Sequence, residues 1–338
     1  MRTRPVVSVC IANYNGSAII AACIESVLAQ DCDFPVEILV HDDASTDGSV
    51  ELLASNYPNV HLIRSDSNVG FCIANNRMVA QAEGAYILLL NNDAELYLDA
   101  LRVLYNEAEK IADPAILSVP QYDFASGEII DRGCLLDPFF NPVPNLDPNR
   151  RVMAMVIGAC LWMPRQLWKK LGGFPEWFGS IGEDLYLCCR ARLAGYSVRV
   201  LETSGYRHRV GASFGGGKAH NGKLSTTFRR RALSERNKTF VMLMTCPAPF
   251  IQIMLPIHLT LLLVEGGLLA ILKVRLAYLT EVYLPVFAAI FRQRRALIAS
   301  RGAIMQSRRL ARTDFFAVFD PLPYKLQMLL KHGLPKLL

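Results

Sequence analysis

Tyr86–Leu96 reads YILLLNNDAEL, an apolar run that stops abruptly at Asn91-Asn92-Asp93. Ile87 to Leu90 are continuously apolar rather than alternating, the pattern of a strand buried on both faces. The polar triplet then falls at the carboxyl end of that strand, the edge where open α/β sheets bind ligands. A lone carboxylate beside two amides there can hold a divalent cation without adding much charge of its own. Taken alone, the same triplet also describes a strand followed by an Asn/Asp turn. Its meaning therefore depends on what surrounds it.

Upstream, Val6–Ala12 (VVSVCIA) reads as another buried strand, ended by Asn13-Tyr14-Asn15-Gly16. A helix follows through Ile19–Gln30, with apolar positions at Ile20, Cys23, Ile24, Val27 and Leu28. Val36–Val40 is the next strand and runs into His41-Asp42-Asp43-Ala44-Ser45-Thr46-Asp47-Gly48-Ser49. That loop opens a helix over Val50–Asn56, with Asp47 or Ser49 as N-cap. His61–Arg64 is a short strand, and Asn68–Glu83 is a turn and a helix. This alternation predicts a mainly parallel sheet with helices on both faces. Asp42-Asp43 and Asn91–Asp93 then lie along one cleft at the strand ends, a nucleotide site by position. The chain has no GxGxxG and no Walker lysine loop, which disfavours a dinucleotide fold and a P-loop.

Downstream, Asp99–Ala112 reads as a helix. Phe124–Asn149 is rich in Pro, Asp and Asn and reads as loop with short strands, without a legible role. Legibility returns at Val156–Gly211. Arg165–Leu171 is a helix stopped by Gly172-Gly173-Phe174. Glu183-Asp184 opens another, Leu185–Ala194, ended by Gly195. Carboxylates at a helix N-terminus are favoured by the dipole, so the pair can simply cap. A carboxylate ionised in that way can also accept a proton or hydrogen-bond a hydroxyl. Val198–Leu201 is a further strand. His208 follows within Arg207-His208-Arg209, where a surface histidine is the plainer reading. Four glycines in the seven residues 211–217 suggest a mobile lid.

The 338 residues allow one large domain with an appendage, or two domains. Charge divides them. Residues 1–235 hold 22 Lys and Arg against 26 Asp and Glu, and residues 236–338 hold 14 against 4. The basic part is also the apolar part, which points to an anionic membrane surface rather than to nucleic acid. Phe250–Leu272 is long enough to span a bilayer, yet Pro256, His258 and Glu265 interrupt it. Leu276–Phe291 is short for a span and contains Glu281 and Pro285. Arg292–Arg312 then carries seven arginines and no acid. In-plane membrane attachment, a transmembrane hairpin and a buried homodimer interface compete, and the first is favoured. Few aromatics interleave the arginines, so no nucleic-acid partner is expected. The nine cysteines are scattered without a CxxC pair, as expected of reduced cytosolic thiols. The N-terminal apolar run is too short for a signal peptide.

Nine segments in order complete the reading: VSVCIANYNG, ESVLAQ, ILVHDDASTDGS, NVGFCIANN, LLLNNDAEL, GACLWMPR, LGGFPEWF, GEDLYLCCRARLAGY and His208 with GAS. Together, over positions 6–235, they resemble a family 2 glycosyltransferase with the α/β GT-A nucleotide-sugar-binding fold, nearest its rhamnosyltransferase-like branch. The resemblance implies roles. Asp42 matches the aspartate that contacts the nucleotide base, joined by Ala12 and Asn13. Asp43, Asn75, Asn91, Asn92, Trp177 and Glu183 complete the substrate-binding set. Asp93 is the surviving carboxylate of the metal motif, with His208 near the metal or diphosphate. Asp184 matches the general base, with Glu183 next to it. Arg236-Asn237 matches a basic pair at the domain end. The processive Gln-x-x-Arg-Trp signature is absent, since no Trp follows Trp177.

The resemblance implies an inverting enzyme aided by Mg²⁺ or Mn²⁺. It would move one sugar, a deoxyhexose such as rhamnose, from a dTDP-, UDP- or GDP-linked donor to a lipid-linked saccharide in cell-surface polysaccharide synthesis. The expected location is the cytoplasmic face of the plasma membrane, with a catalytic domain over 1–235 and a helical attachment region over 236–338. A nucleotidylyltransferase is one rival, but Ala12–Gly16 lacks the basic residues such a loop needs. A catalytically inactive membrane scaffold is the other, opposed by the retained Asp93 and Asp184.

Overall fold

The computed structural model describes residues 4–209, 216–220, 223–334 and 336–337. The glycine-rich stretch read as a lid lies largely outside them, at 210–215. The chain divides into two compact units. The first takes the chain to Cys134, then Pro144–Ala191 and Tyr196–Arg209. The second takes Leu135–Val143, Arg192–Gly195 and Val210–Leu338. The compositional boundary after Glu235 falls inside one continuous helix, Phe228–Thr245.

The first unit is built on seven strands. They are β1 (Val7–Asn13), β2 (Val36–Asp42), β3 (His61–Arg64), β4 (Tyr86–Asn91), β6 (Ala115–Ser118), β11 (Cys160–Pro164) and β12 (Ser197–Val200). Their order is β12-β6-β11-β4-β1-β2-β3. β4, β1, β2 and β3 are mutually parallel. β12 runs parallel to β6, whereas β11 is antiparallel to both of its neighbours. The GT-A expectation of a mainly parallel sheet is therefore met, with one reversed strand next to β4.

The continuous apolar runs follow from burial on both faces. Val7, Val9 and Ile11 pack with Leu88, Leu90, Ile20 and Ile24 in one core cluster. Their alternates Cys10, Leu39 and Leu89 are equally buried. Helices α1 (Ile20–Leu28), α2 (Ser49–Asn56), α3 (Phe71–Gln81) and α4 (Ala100–Lys110) connect these strands or cover them. The start of α2 differs from expectation. Left-handed Gly48 precedes it and no side chain caps it. Asp47 instead accepts from the Ser49 N–H at 3.1 Å and from Ser17 N–H at 2.8 Å, tying the loop back to β1.

A second sheet, unforeseen from sequence, has the order β5-β13-β7-β8. Its strands are β5 (Ala94–Leu96), β13 (Tyr206–His208), β7 (Gln121–Asp123) and β8 (Ile129–Asp131). Each is three residues long, too short to show a period. Between these elements lie a small ribbon, β9 (Cys134–Leu136) with β10 (Pro142–Pro144), and two helices, α5 (Arg165–Leu171) and α6 (Glu183–Leu193). α6 opens at Glu183 itself rather than at Leu185.

The second unit is helical: α7 (Phe228–Thr245), α8 (Phe250–Leu272), a π-helical turn (Tyr278–Tyr283), α9 (Leu284–Gln306), α10 (Arg312–Phe316) and α11 (Tyr324–His332). Three short strands, β14 (Gly216–His220), β15 (Lys223–Thr226) and β16 (Lys336–Leu337), form its sheet. Only α8 is long and apolar enough to cross a membrane among the described residues.

Candidate active site

The site begins with the register of three parallel strands. Asn13 lies opposite Asp42 on one side, and Ala12 lies opposite Asn91 on the other. Side chains at these strand ends meet across the sheet edge. Asn92 Nδ2 donates to Asn13 Oδ1 at 2.8 Å. Asn13 Nδ2 donates to Asp42 Oδ1 at 3.0 Å, and Asp42 Oδ2 accepts from the Ser45 N–H at 3.0 Å. Asn13, Asp42 and Asn92 are all buried. Asp43 is buried as well, and its two oxygens accept from Val69 N–H at 2.7 Å and Gly70 N–H at 2.8 Å. The carboxylates of Asp42 and Asp43 thus shape this strand-end edge by fixing backbone. Asn75 donates to the Phe71 carbonyl at 2.9 Å, one turn back in α3.

The triplet after β4 divides its labour. Asn92 belongs to the amide chain just described. Asp93 faces His208, whose Nε2 lies 3.0 Å from Asp93 Oδ1. The short β5–β13 pairing makes that contact by setting His208 opposite Ala94. The Arg209 N–H donates to the Asp93 carbonyl at 3.0 Å. Asp93 and His208 are buried, and among the described residues neither the His208 Nδ1 nor the buried Asn91 Oδ1 has a hydrogen-bond partner. A carboxylate, an imidazole nitrogen and a spare carboxamide oxygen at one strand end suit a divalent cation. Among the described residues no group of three or more His, Cys, Asp or Glu forms a complete cage. The chain could then supply only part of a coordination shell.

Asp184 joins this edge through β11. The Asn91 N–H donates to the Ala159 carbonyl at 3.0 Å, and the neighbouring Gly158 N–H donates to Asp184 Oδ2 at 3.0 Å. One residue of β11's entry therefore separates the hold on β4 from the hold on Asp184. The turn into α6 is unusual. Ile181 has φ +69° and Gly182 φ +86°, and a left-handed β-branched residue is a strained one. That turn delivers Glu183 and Asp184 together. Glu183 is buried with Oε2 unpartnered. Burial, then the charge of Asp184, push its carboxyl up to about 8, which favours its neutral form. Trp177 is half-buried in a 3₁₀ turn, edge-on to Phe178.

Three residues were missed by sequence reasoning. Asp131, on β8, is buried and pushed up to about 6 by desolvation, with the Gly133 N–H and His208 pulling the other way. Asn76 exchanges two hydrogen bonds with the Phe174 backbone, at 2.9 and 3.1 Å. Arg209 lies over the Phe124 ring, 3.2 Å from its centroid, and contacts Glu95 at 3.1 Å. Asn76 closes the NVGFCIANN segment without being singled out there, Asp131 and Arg209 lie outside the quoted segments, and the ring contact needs the β13–β7 pairing to be known. Arg236 and Asn237 lie in the second unit, on α7.

Residues 8–172 match the sequence profile of the glycosyl transferase family 2. This stretch is a family 2 glycosyltransferase domain. Chondroitin synthase of Escherichia coli is 30% identical over 187 residues, 54% of this chain and 26% of that protein. An N-acetylglucosaminyl-diphospho-decaprenol L-rhamnosyltransferase of Mycobacterium tuberculosis is 28% identical over 209 residues, 52% of this chain and 67% of that one. The chain thus spans about a quarter of one relative and two thirds of the other. The crystal structure of GalNAc-T7 with UDP, GalNAc and Mn²⁺ superposes with a TM-score of 0.58 at 15% identity, over 74% of this chain and 49% of that one. The GT-A fold of the family 2 domain is therefore shared at the level of backbone.

Two predictions follow from this geometry. A Cβ on Gly16 would overlap both Asn13 Oδ1 and Asn92 Nδ2. Gly16→Ala should cost about 1–3 kcal/mol, the usual penalty of overpacking. It should also weaken donor binding. Urea titration and nucleotide calorimetry check this, and an unchanged midpoint would mean that the amide chain yields freely. The second concerns Glu183. Its folded pKa of about 8 lies above the ordinary 4.5, so the unfolded chain binds fewer protons between them. Stability should fall as pH rises through that window, by up to about 1.4 kcal/mol per pH unit. Glu183→Gln should remove this slope, so that the variant gains on the wild type as pH rises. Parallel denaturation curves at pH 5 and pH 8 would show otherwise.

Proposed function

We propose that this protein is an inverting glycosyltransferase that moves one sugar from a nucleotide-sugar donor to a hydroxyl of a lipid-linked saccharide in cell-surface polysaccharide synthesis. The observation that carries the reading is the joint placement of the Asp93–His208 pair and Asp184 at one sheet edge, through adjacent backbone bonds of β4 and β11. Direct displacement needs two things of a protein. The leaving diphosphate gains charge and must be met by positive charge, and the attacking hydroxyl must lose a proton. Asp93, His208 and Asn91 would hold Mg²⁺ or Mn²⁺ together with the donor. Such an ion supplies Lewis-acid stabilisation of the departing diphosphate.

Asp184 is the base in this reading. The Gly158 N–H fixes one oxygen, and the carboxyl beside it favours the neutral form. A neutral Glu183 leaves the pair with a single negative charge. It can also donate a hydrogen bond to substrate, which an ionised Glu183 could not. Asn13, Asp42, Asp43 and Asn92 position the donor nucleotide by holding the loops at 13–17, 42–47 and 69–70. Asn75 and Trp177 complete the substrate-binding set, and a deoxyhexose such as rhamnose is the sugar class favoured. The Mycobacterium tuberculosis N-acetylglucosaminyl-diphospho-decaprenol L-rhamnosyltransferase, whose name specifies a lipid-diphosphate-linked acceptor, supports that choice. A location on the cytoplasmic face of the plasma membrane goes with such an acceptor.

Asp184→Asn should lower turnover by about 10²–10⁴-fold, the usual worth of a general base, with donor affinity within about twofold of wild type. Turnover close to wild type would move the base to Glu183. Asp93→Ala should abolish the dependence of donor affinity on Mn²⁺. Equal wild-type activity in chelator and in Mn²⁺ would remove the ion from the mechanism. Screening dTDP-, UDP- and GDP-sugars by thermal shift identifies the nucleotide, since the bound donor raises stability by mass action.

A further inference from the structure

Helix α8 is built inside out. Along a surface helix of a soluble domain the apolar stripe faces the core and the polar one faces water. In α8 the inward stripe holds His258, Leu262, Glu265, Gly266 and Leu269, four of them buried. The polar members are tied down within the same unit. His258 Nε2 lies 2.8 Å from Thr239 Oγ1 on α7. Glu265 binds Arg231 of α7 at 2.7 Å and Lys325 of α11 at 2.6 Å. Both cations also bind the fully buried Glu235, at 3.0 and 2.7 Å, and Lys238 closes on Glu235 at 2.8 Å. A Cβ on Gly266 would run into the Tyr283 ring, so the helix lies close against the π-helical turn.

The outward stripe is apolar apart from Thr260: Ile253, Ile257, Leu261, Val264, Leu268 and Ile271 are from 42% to 74% exposed. Their spacing of three and four residues is that of one straight helical face. At 1.5 Å per residue it runs for about 27 Å. At its end the chain turns through Lys273-Val274-Arg275-Leu276, where Val274 is 92% and Leu276 66% exposed between two exposed cations. Arg292, Arg294 and Arg295 are exposed on α9. From 250 to 306 the only carboxylates are Glu265, engaged as above, and Glu281.

We propose that this outward face of α8, led by the Lys273–Leu276 turn, lies in one leaflet of an anionic bilayer with the helix axis along the membrane plane. This deepens the membrane part of the reading above and is independent of its chemistry. Two considerations favour this arrangement over the others. A spanning α8 would bring lipid to its inward stripe, where Glu265 and His258 are held by α7 and α11, and so would carry the Glu235 cluster into hydrocarbon. A second copy of the chain would meet the stripe with its own flanking arginines and lysines. A phosphatidylglycerol surface instead offers apolar depth and negative charge together.

The three native tryptophans, Trp162, Trp168 and Trp177, all lie in the first unit, so a tryptophan added to α8 is read as the difference from wild-type protein under the same conditions. Ile257→Trp, Val264→Trp and Ile271→Trp place a probe at three points along the stripe. Each would be mixed, as full-length protein, with phosphatidylglycerol or phosphatidylcholine vesicles brominated at shallow or deep acyl positions. The expected result is a blue shift in phosphatidylglycerol vesicles, with the same shallow depth of quenching at all three positions. A depth that sweeps from shallow to central along the stripe would establish a span and overturn the proposal. So would absence of quenching with sedimentation as a dimer, or binding that 0.5 M salt, about a 4 Å screening length, abolishes. Leu261→Asp with Leu268→Asp should weaken vesicle binding by about tenfold or more at unchanged nucleotide affinity. Unchanged vesicle binding would likewise overturn it. Donor binding is read separately, so failure of the glycosyltransferase reading and failure of this one are distinguishable.

Discussion

The amide chain Asn92–Asn13–Asp42 crosses three parallel strands at the edge where ligand would bind. Each link satisfies a group that would otherwise be a buried orphan, and an unpaired buried amide or carboxylate is costly. The chain also transmits position. The loop at 42–47 is held by Asp42, Asp42 by Asn13, and Asn13 by the residue before Asp93. Displacing any member moves the loop at 42–47 and the strand end at Asp93 together. This explains why residue 16 is a glycine even though its backbone angles are ordinary: the amides pass where its side chain would be.

Much of this was legible before the structure. Strands buried on both faces announce themselves as unbroken apolar runs, and β1, β2 and β4 fall where VVSVCIA, the run from Val36 and YILLL place them. The carboxyl-end clusters were found for the same reason. The second sheet was not, because three-residue strands have no period and their pairing partners lie far away in sequence. Asp131 is the clearest loss: an acid in a Pro/Asp/Asn-rich stretch looks like loop until β8 is seen to continue the sheet that carries His208. The plainer reading of His208 as a surface histidine fails likewise, since only the β5–β13 pairing buries it against Asp93. Asp47 shows the limit of capping rules. A side chain can serve a helix start without occupying the N-cap when a left-handed glycine holds that place.

The two carboxyl groups at the head of α6 illustrate how position assigns chemistry. They are neighbours in sequence, share one helix start and would be interchangeable by composition. Asp184 has a backbone N–H on each oxygen, from Gly158 and from Leu185, while the buried Glu183 has no partner for Oε2 among the described residues. The first environment favours charge and the second disfavours it. A left-handed Ile181 at the turn is the local strain that accompanies this arrangement, and strain of that kind persists only where the surroundings over-determine it.

β13 has a consequence of its own for how the site comes together. The nucleotide edge is assembled from β1, β2 and β4, all within the first 91 residues. His208 reaches Asp93 across 115 residues of chain, through a strand of three residues. Contacts of long separation form late, and short strands open at low cost. The fold therefore contains an early-forming nucleotide half and a late clasp. Local opening of β13 releases the imidazole while the seven-stranded sheet stays intact. Were a cation held at Asp93 as proposed, its affinity would be linked to the closing equilibrium of three residues, and any ligand that holds β13 shut would tighten the site by mass action alone.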